Sequence, residues 1–218
     1  MFRMPSFVVL CCLMATWGFA QDPVQEDPKH YRVEFQDDQV RVLRITLRPH
    51  EQDVLHSHPD GVVVFLTADR DGKMPPAEAQ WEPAGTQQPQ TLTNTSFEAV
   101  FVELLRAPMA QPAMLPVVRF AFAPFYAINR PQVTRLFEND RVSVSKERFP
   151  GTARGDDFHA HPTDTVIVYL SGGEMDGTTG RAPSRARRGQ VDVLPAYTLH
   201  RFTNLGFDPI EFIVIHPK

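Results

Sequence analysis

Apolar positions along this chain come in short runs, and within the runs apolar and polar residues tend to alternate. In the segment that ends the chain, Ile210, Phe212 and Val214 alternate with Glu211, Ile213 and Ile215. Side chains on a strand point to opposite faces with a period of two, so this segment has one firmly apolar face and one only partly apolar. "GVVVFL" (61–66) and "TVIVYL" (165–170) are continuous runs of the kind that strands make inside a core. All such segments are rich in Val, Ile, Phe and Tyr and are separated by Pro, Gly and Asp clusters. No stretch keeps apolar residues at helical spacing over about ten positions. The pattern predicts an all-β protein of sandwich or barrel type.

The pattern also occurs twice. "FQDDQVRV" (35–42) aligns with "FENDRVSV" (137–144), "HSHP" (56–59) with "HAHP" (159–162), "GVVVFL" with "TVIVYL", and "LTNTSFEAVFVEL" (92–104) with "FTNLGFDPIEFIVI" (202–215). The same elements recur in the same order, so the chain divides into a first copy over 30–106 and a second over 132–218. Residues 107–131 between them carry five prolines but are apolar, a poor composition for a flexible linker. They are expected to lie across the sheets as a strap, with Phe120, Phe122, Phe125 and Tyr126 packed; a contact between copies of the chain in a homo-oligomer is the secondary expectation.

The first twenty residues form a different segment. Arg3, an apolar stretch from Phe7, and small residues at Gly18 and Ala20 read as a secretory signal peptide, which predicts a secreted or periplasmic protein. Cys11 and Cys12 both lie in it, so the remaining chain has no thiol for disulfides, nucleophilic attack or soft-metal binding. The formal charge of −4 becomes one unit more negative without Arg3. A mildly acidic chain argues against nucleic acid or an anionic membrane as partner and leaves a small molecule as the expected ligand.

The candidate chemistry is in the histidines. An H-x-H on a strand places both imidazoles on one face, where they can grip one metal ion, and a third ligand from a neighbouring strand would leave open positions for water or substrate. His159 and His161 form such a pair, with His200 as the natural third ligand. The alternative use of the pair, hydrogen bonding to the turn backbone at Asp164 (or at Asp60 in the first copy), also fits the residue types.

Both copies resemble cupin domains, and the chain is similar to the bicupins. Gly189, Pro195, His200 and Asn204 match the family's second motif with its spacing intact, Tyr197 replacing its second glycine. His159 and His161 match the first motif, whose glutamate falls near Thr165 or Val166. The resemblance implies two tandem jelly-roll β-barrels and a divalent metal (Fe, Mn, Zn or Ni) on three histidines. It also implies dioxygenase chemistry on a small chelating substrate, although isomerases and decarboxylases share the fold. The first copy is the degenerate one. It keeps His56 and His58 as a weaker metal pair, and His50 stands at the glycine position. Its glutamate position falls at Gly61 or Val62, and it has Gln88 or Gln90 in place of the third histidine. Its short run between Leu66 and Pro83 suggests a trimmed barrel.

The remaining candidates are peripheral. His30 and His216 have no evident partners and read as surface or structural residues. Asn204 reads as a turn residue. Asp156, Asp157 and Asp164 flank the site and could orient imidazoles. Arg181, Arg185, Arg187 and Arg188 could screen an anion at the barrel mouth, though a solvated loop is the commoner use of such a run. None of these residues offers a convincing general base. Beside the enzyme stands a second class, a non-catalytic cupin that holds a small molecule or has lost its metal sites.

Overall fold

The repeat in the sequence is a repeat of backbone hydrogen bonding. The computed structural model describes residues 22–68, 73–88, 94–107, 131–152, 154–177 and 185–218. After a single helical turn, α1 (Pro23–Glu26), the first copy forms β1 (Tyr31–Gln36), β2 (Val40–Leu47), β3 (His56–His58), β4 (Gly61–Phe65), β5 (Glu78–Glu82), β6 (Gly85–Gln87) and β7 (Phe97–Leu104). The second forms β8 (Gln132–Glu138), β9 (Val142–Phe149), β10 (Arg154–Gly155), β11 (Thr165–Tyr169), β12 (Gly173–Gly177), β13 (Arg185–Ala186), β14 (Val191–Leu194), β15 (Phe202–Asn204) and β16 (Ile210–Pro217). The large sheets have equivalent antiparallel orders, β1-β2-β7-β4-β5 and β8-β9-β16-β11-β14. The signal segment and the strap aromatics Phe120, Phe122, Phe125 and Tyr126 lie outside the described residues.

The duplication reaches individual turns. Asp37 Oδ1 accepts from the backbone N–H groups of Gln39 and Val40 at 2.7 and 2.8 Å. Asn139 Oδ1 does the same for Arg141 and Val142 at 2.8 and 3.0 Å. A short side chain with an acceptor oxygen closes each hairpin, which is why Asp and Asn are interchangeable here. Each hairpin also carries a register shift, between Val33 and Phe35 in one and between Arg135 and Phe137 in the other.

Both faces of the central strands are buried. Ile210, Phe212 and Val214 point into the second barrel, where they pack with Phe149, Tyr169 and Phe202. The other face of β16 was expected to be only partly apolar, but Ile213 and Ile215 are fully buried there. They share one cluster with Val166 and Val168 and, from the first copy, with Val40, Val42, Val100 and Val102. The two large sheets thus pack outer face to outer face, and on β16 the polar member of that face is Glu211, paired with Arg148 at 3.3 Å. The inner face of the first sheet encloses its own lumen with Leu43, Ile45, Phe65, Phe97 and Phe101.

Arginines stitch the rim of this interface. Arg141 reaches Asp60 at 2.6 Å and donates to the carbonyl of Arg106 at 2.6 Å. Arg44 donates to the carbonyl of Gly189, and Arg188 to that of Leu66. Arg188 is therefore a clamp between the copies rather than a screen at a barrel mouth. Arg185 and Arg187 border the groove beside it, and Arg181 lies outside the described residues. Gly189 has φ +80°, a conformation that favours glycine, and a Cβ there would press on Arg44 Nη1 at 3.1 Å and Leu66 Cδ1 at 3.2 Å.

The barrels differ in how they close. Among the described residues, a four-stranded sheet, β10-β15-β12-β13, covers the second lumen and the two-stranded β3-β6 covers the first. Because the copies share one core, they should unfold together. Ile213→Ala is expected to cost about 2–4 kcal/mol. In urea it should shift the transition reported by Trp81, in the first copy, as far as the one seen by circular dichroism; an unmoved Trp81 transition would mean independent domains.

Candidate metal centre

Two backbone hydrogen bonds bring the distant histidines together. His159 N donates to His200 O and His200 N to His159 O, both at 2.9 Å, an isolated antiparallel bridge. Residues directly opposed in such a pair project to the same side, and His161, two positions on, shares the face. Tyr197 N donates to His161 O at 2.7 Å and holds the third backbone segment in place. One nitrogen from each of His159, His161 and His200 lies within 4.8 Å of the other two, with ring centroids 4.3–5.2 Å apart. Metal–nitrogen bonds of about 2.0–2.1 Å put ligand atoms roughly 3–3.5 Å apart, so small ring rotations would close the set on one ion.

The protonation pattern suits a metal. His159 Nδ1 donates to the carbonyl of Asp157 at 2.7 Å and His200 Nδ1 to that of Thr198 at 2.8 Å. A carbonyl can only accept, so Nδ1 carries the proton and each Nε2 presents a lone pair. Burial, reinforced by the neighbouring imidazoles, holds His161 down to about 2, and burial also lowers His200. These two rings are therefore neutral at physiological pH, the form that binds metal.

The turn that carries His200 has a left-handed residue at the position where the resemblance implies glycine. Tyr197 occupies that position with φ +59°, so the left-handed turn persists although a tyrosine must adopt it. His50, at the glycine position of the first copy, likewise has φ +66°. Asp164 Oδ1 accepts from Ala196 N at 2.7 Å and so braces this turn rather than touching an imidazole. Buried Asn204 is the expected turn residue: its amide donates to the carbonyls of Phe149 and Asp208 at 3.1 and 2.8 Å, and its oxygen accepts from Gly206 N at 3.0 Å.

His216 and His30 correct the sequence reading, since both have partners. His216 lies on the inner face of β16, its ring centroid 4.3 Å from that of His161 and its Nδ1 3.2 Å from Thr165 Oγ1. Burial holds it down to about 4. It shares its parity with Ile210, Phe212 and Val214, the one sequence signal that could have placed it in the lumen. His30 is buried and bridges Asp27 at 2.6 Å and Glu51 at 3.1 Å, a structural role.

In the first copy His56 and His58 sit on β3 with ring centroids 6.0 Å apart. The residue opposite His56, as His200 is opposite His159, is Gln87. Gln88 is exposed and does not take that place, and Gln90 lies outside the described residues. Among the described residues, the group of three side chains close enough to share an ion is His159, His161 and His200.

The structure also supplies acid–base groups. Asp156 Oδ2 is 3.5 Å from His159 Nδ1 and its other oxygen accepts from Phe202 N at 2.5 Å; burial pushes its carboxyl up to about 6. Asp157 acts through its backbone carbonyl, its side chain being exposed. Glu147 is on the inner face of β9, in the alternation that buries Val142 and Val144 on the other side. Burial, then repulsion from Asp156, pushes it up to about 7. Folding thus favours its protonated form, so the carboxylate costs stability progressively as pH rises from about 4.5 through about 7. Glu147→Gln should therefore gain about 2 kcal/mol on the metal-free wild type between pH 4.5 and pH 8, partial hydration keeping the effect below its full value. Urea titrations at the two pH values measure it, and a pH-independent difference would contradict the assignment.

No family model matches the chain, and no curated protein matches it. Solved structures do. A cupin 2 conserved barrel domain protein from Leptotrichia buccalis matches at TM-score 0.50 and 12% identity, over 86% of this chain and 88% of that one. Salicylate 1,2-dioxygenase from Pseudoaminobacter salicylatoxidans matches at TM-score 0.56 and 9% identity, over 82% and 71%. Oxalate decarboxylase from Bacillus subtilis, a protein with Mn(II) centres, matches at TM-score 0.53 and 14% identity, over 89% and 71%. At these identities the likeness is one of architecture, and it agrees with the strand orders described above: the chain has the cupin fold, two jelly-roll barrels in tandem.

Proposed function

We propose that this chain is an exported, metal-dependent bicupin in which His159, His161 and His200 hold one divalent ion (Fe, Mn, Zn or Ni) and present it to a small chelating substrate. The observation that carries this reading is the three-histidine group itself, with two Nδ1–H groups spent on backbone carbonyls so that the Nε2 lone pairs remain. A bound divalent metal would supply Lewis acidity there and, if redox-active, dioxygen chemistry. The protein's own share is to hold the ligands without a charge of their own, so that an anionic substrate such as a carboxylate or phenolate meets an undiminished positive centre. Phe149, Phe202 and Phe212 give the lumen a dry wall, and Glu147 and Asp156 can take up or release a proton near neutral pH beside His159.

Dioxygenase-like turnover is the favoured reaction because a neutral three-nitrogen face suits a redox metal with open positions. Export rests on residues 1–20, and the absence of cysteine from the rest of the chain is compatible with an oxidising compartment. Holding a small molecule without turnover is the second reading, favoured by a cavity in the other barrel.

Metal analysis of the purified protein tests the centre. The wild type should carry close to one equivalent of a transition metal after reconstitution, and His159→Ala and His200→Ala less than about a tenth. A wild type as empty as the variants would sink the proposal. If metal is bound, oxygen uptake with a panel of chelating acids and phenols is expected for a subset of them; no uptake with any would leave holding in place of turnover.

A further inference from the structure

We infer that the lumen of the first barrel is a second, metal-free binding site, shaped for a small aromatic molecule that bears a hydroxyl group. It does not depend on the metal reading of the second barrel.

The lumen holds a cavity of about 370 Å³ walled on its apolar side by Ile45, Val63, Phe65, Phe97 and Phe101. An apolar cavity of about 150 Å³ admits benzene, so this one has room for a fused or substituted ring. Its walls are themselves aromatic and meet edge to face: Phe65 and Phe97 at 6.2 Å, His58 and Phe101 at 5.1 Å, Tyr31 and His56 at 5.0 Å between centroids. Flat faces and ring edges of this kind complement a planar guest.

The polar groups specify a donor. His56 Nδ1 donates to Val54 O and His58 Nδ1 to Pro59 O, both at 2.9 Å. In the neutral rings this leaves each Nε2 as an acceptor. The Tyr31 hydroxyl, 3.3 Å from Asp53 Oδ2, lies 3.5 Å from His56 Nε2, a long contact. Nothing among the described residues bonds His58 Nε2. An acceptor set in an apolar wall is satisfied by an O–H, and leaving it unmet when a guest excludes water is costly. Glu82, which also borders the cavity, adds another acceptor and repels an anion. Gln87 stands where the second barrel has His200, and an amide is a weak partner for a transition metal but a good one for a hydroxyl. The wall differs in the same sense: Ile45 occupies the β2 position equivalent to Glu147 on β9.

The test uses 2-naphthol, its methyl ether and 2-naphthoate, titrated calorimetrically into the metal-stripped full chain at pH 8. One equivalent of 2-naphthol should bind at least about tenfold more tightly than either analogue. His58→Phe, which keeps a ring but removes the acceptor, should abolish that preference. His200→Ala should leave it intact while removing the metal site, which separates the two proposals. In the wild type, the ring nitrogen resonances of His56 and His58 should shift with naphthol and those of His159, His161 and His200 should not. Equal affinity for naphthol and its ether, no binding up to the solubility of naphthol, or shifts confined to the second-barrel histidines would overturn the inference. So would a stoichiometric metal ion held by His56 and His58.

Discussion

Two five-stranded sheets meet through Val, Ile and Leu side chains, and the placement of every other element is tied to that contact. A strand buried on one face can alternate apolar with polar residues, but β7, β11 and β16 have partners on both faces and so read as nearly continuous apolar runs. With the outer faces packed together, the inner faces must enclose two separate lumens. The histidine pairs sit at the ends of these lumens, immediately before β4 and β11. Arg141, Arg44 and Arg188 close the rim of the interface with charge-assisted bonds across the copies, so the relative position of the two barrels does not rest on apolar packing alone.

Within this common frame the lumens have diverged position by position. The bridge that sets His159 against His200 sets His56 against Gln87. Ile45 faces one lumen where Glu147 faces the other. The second lumen accumulates titratable groups, with His161, His216, Glu147 and Asp156 all displaced from their ordinary pKa values by burial. The first keeps its imidazoles but surrounds them with Phe97, Phe101, Phe65 and Ile45, leaving open volume. Duplication thus preserved the backbone that aims two histidines inward, while the residue opposite the first of them differs, His200 in one copy and Gln87 in the other.

Left-handed backbone at Tyr197 and His50 shows how firmly the frame is held. Both stand where the resemblance implies glycine, and both retain positive φ at the expected cost of about 1–2 kcal/mol for a residue with a Cβ. Tyr197 is held by its N–H on His161 O and by the Asp164 bond to its neighbour, which are also the contacts that place His161 and the turn leading to His200. Strain and site geometry are thus maintained by the same few hydrogen bonds.

The all-β class, the duplication and the set His159, His161 and His200 were legible in the sequence because each depends on local periodicity or on a motif of fixed spacing. Alternation sets which face a residue takes, and an H-x-H needs only that to aim two rings together. Register across strands is not local. That His216 and Glu147 enter the second lumen, that Gln87 rather than Gln88 opposes His56, and that Ile213 and Ile215 face another sheet instead of water all follow from hydrogen-bond pairings between segments far apart in the chain. So do the shifted carboxyls, because desolvation is a property of the enclosed space and no single segment encloses it.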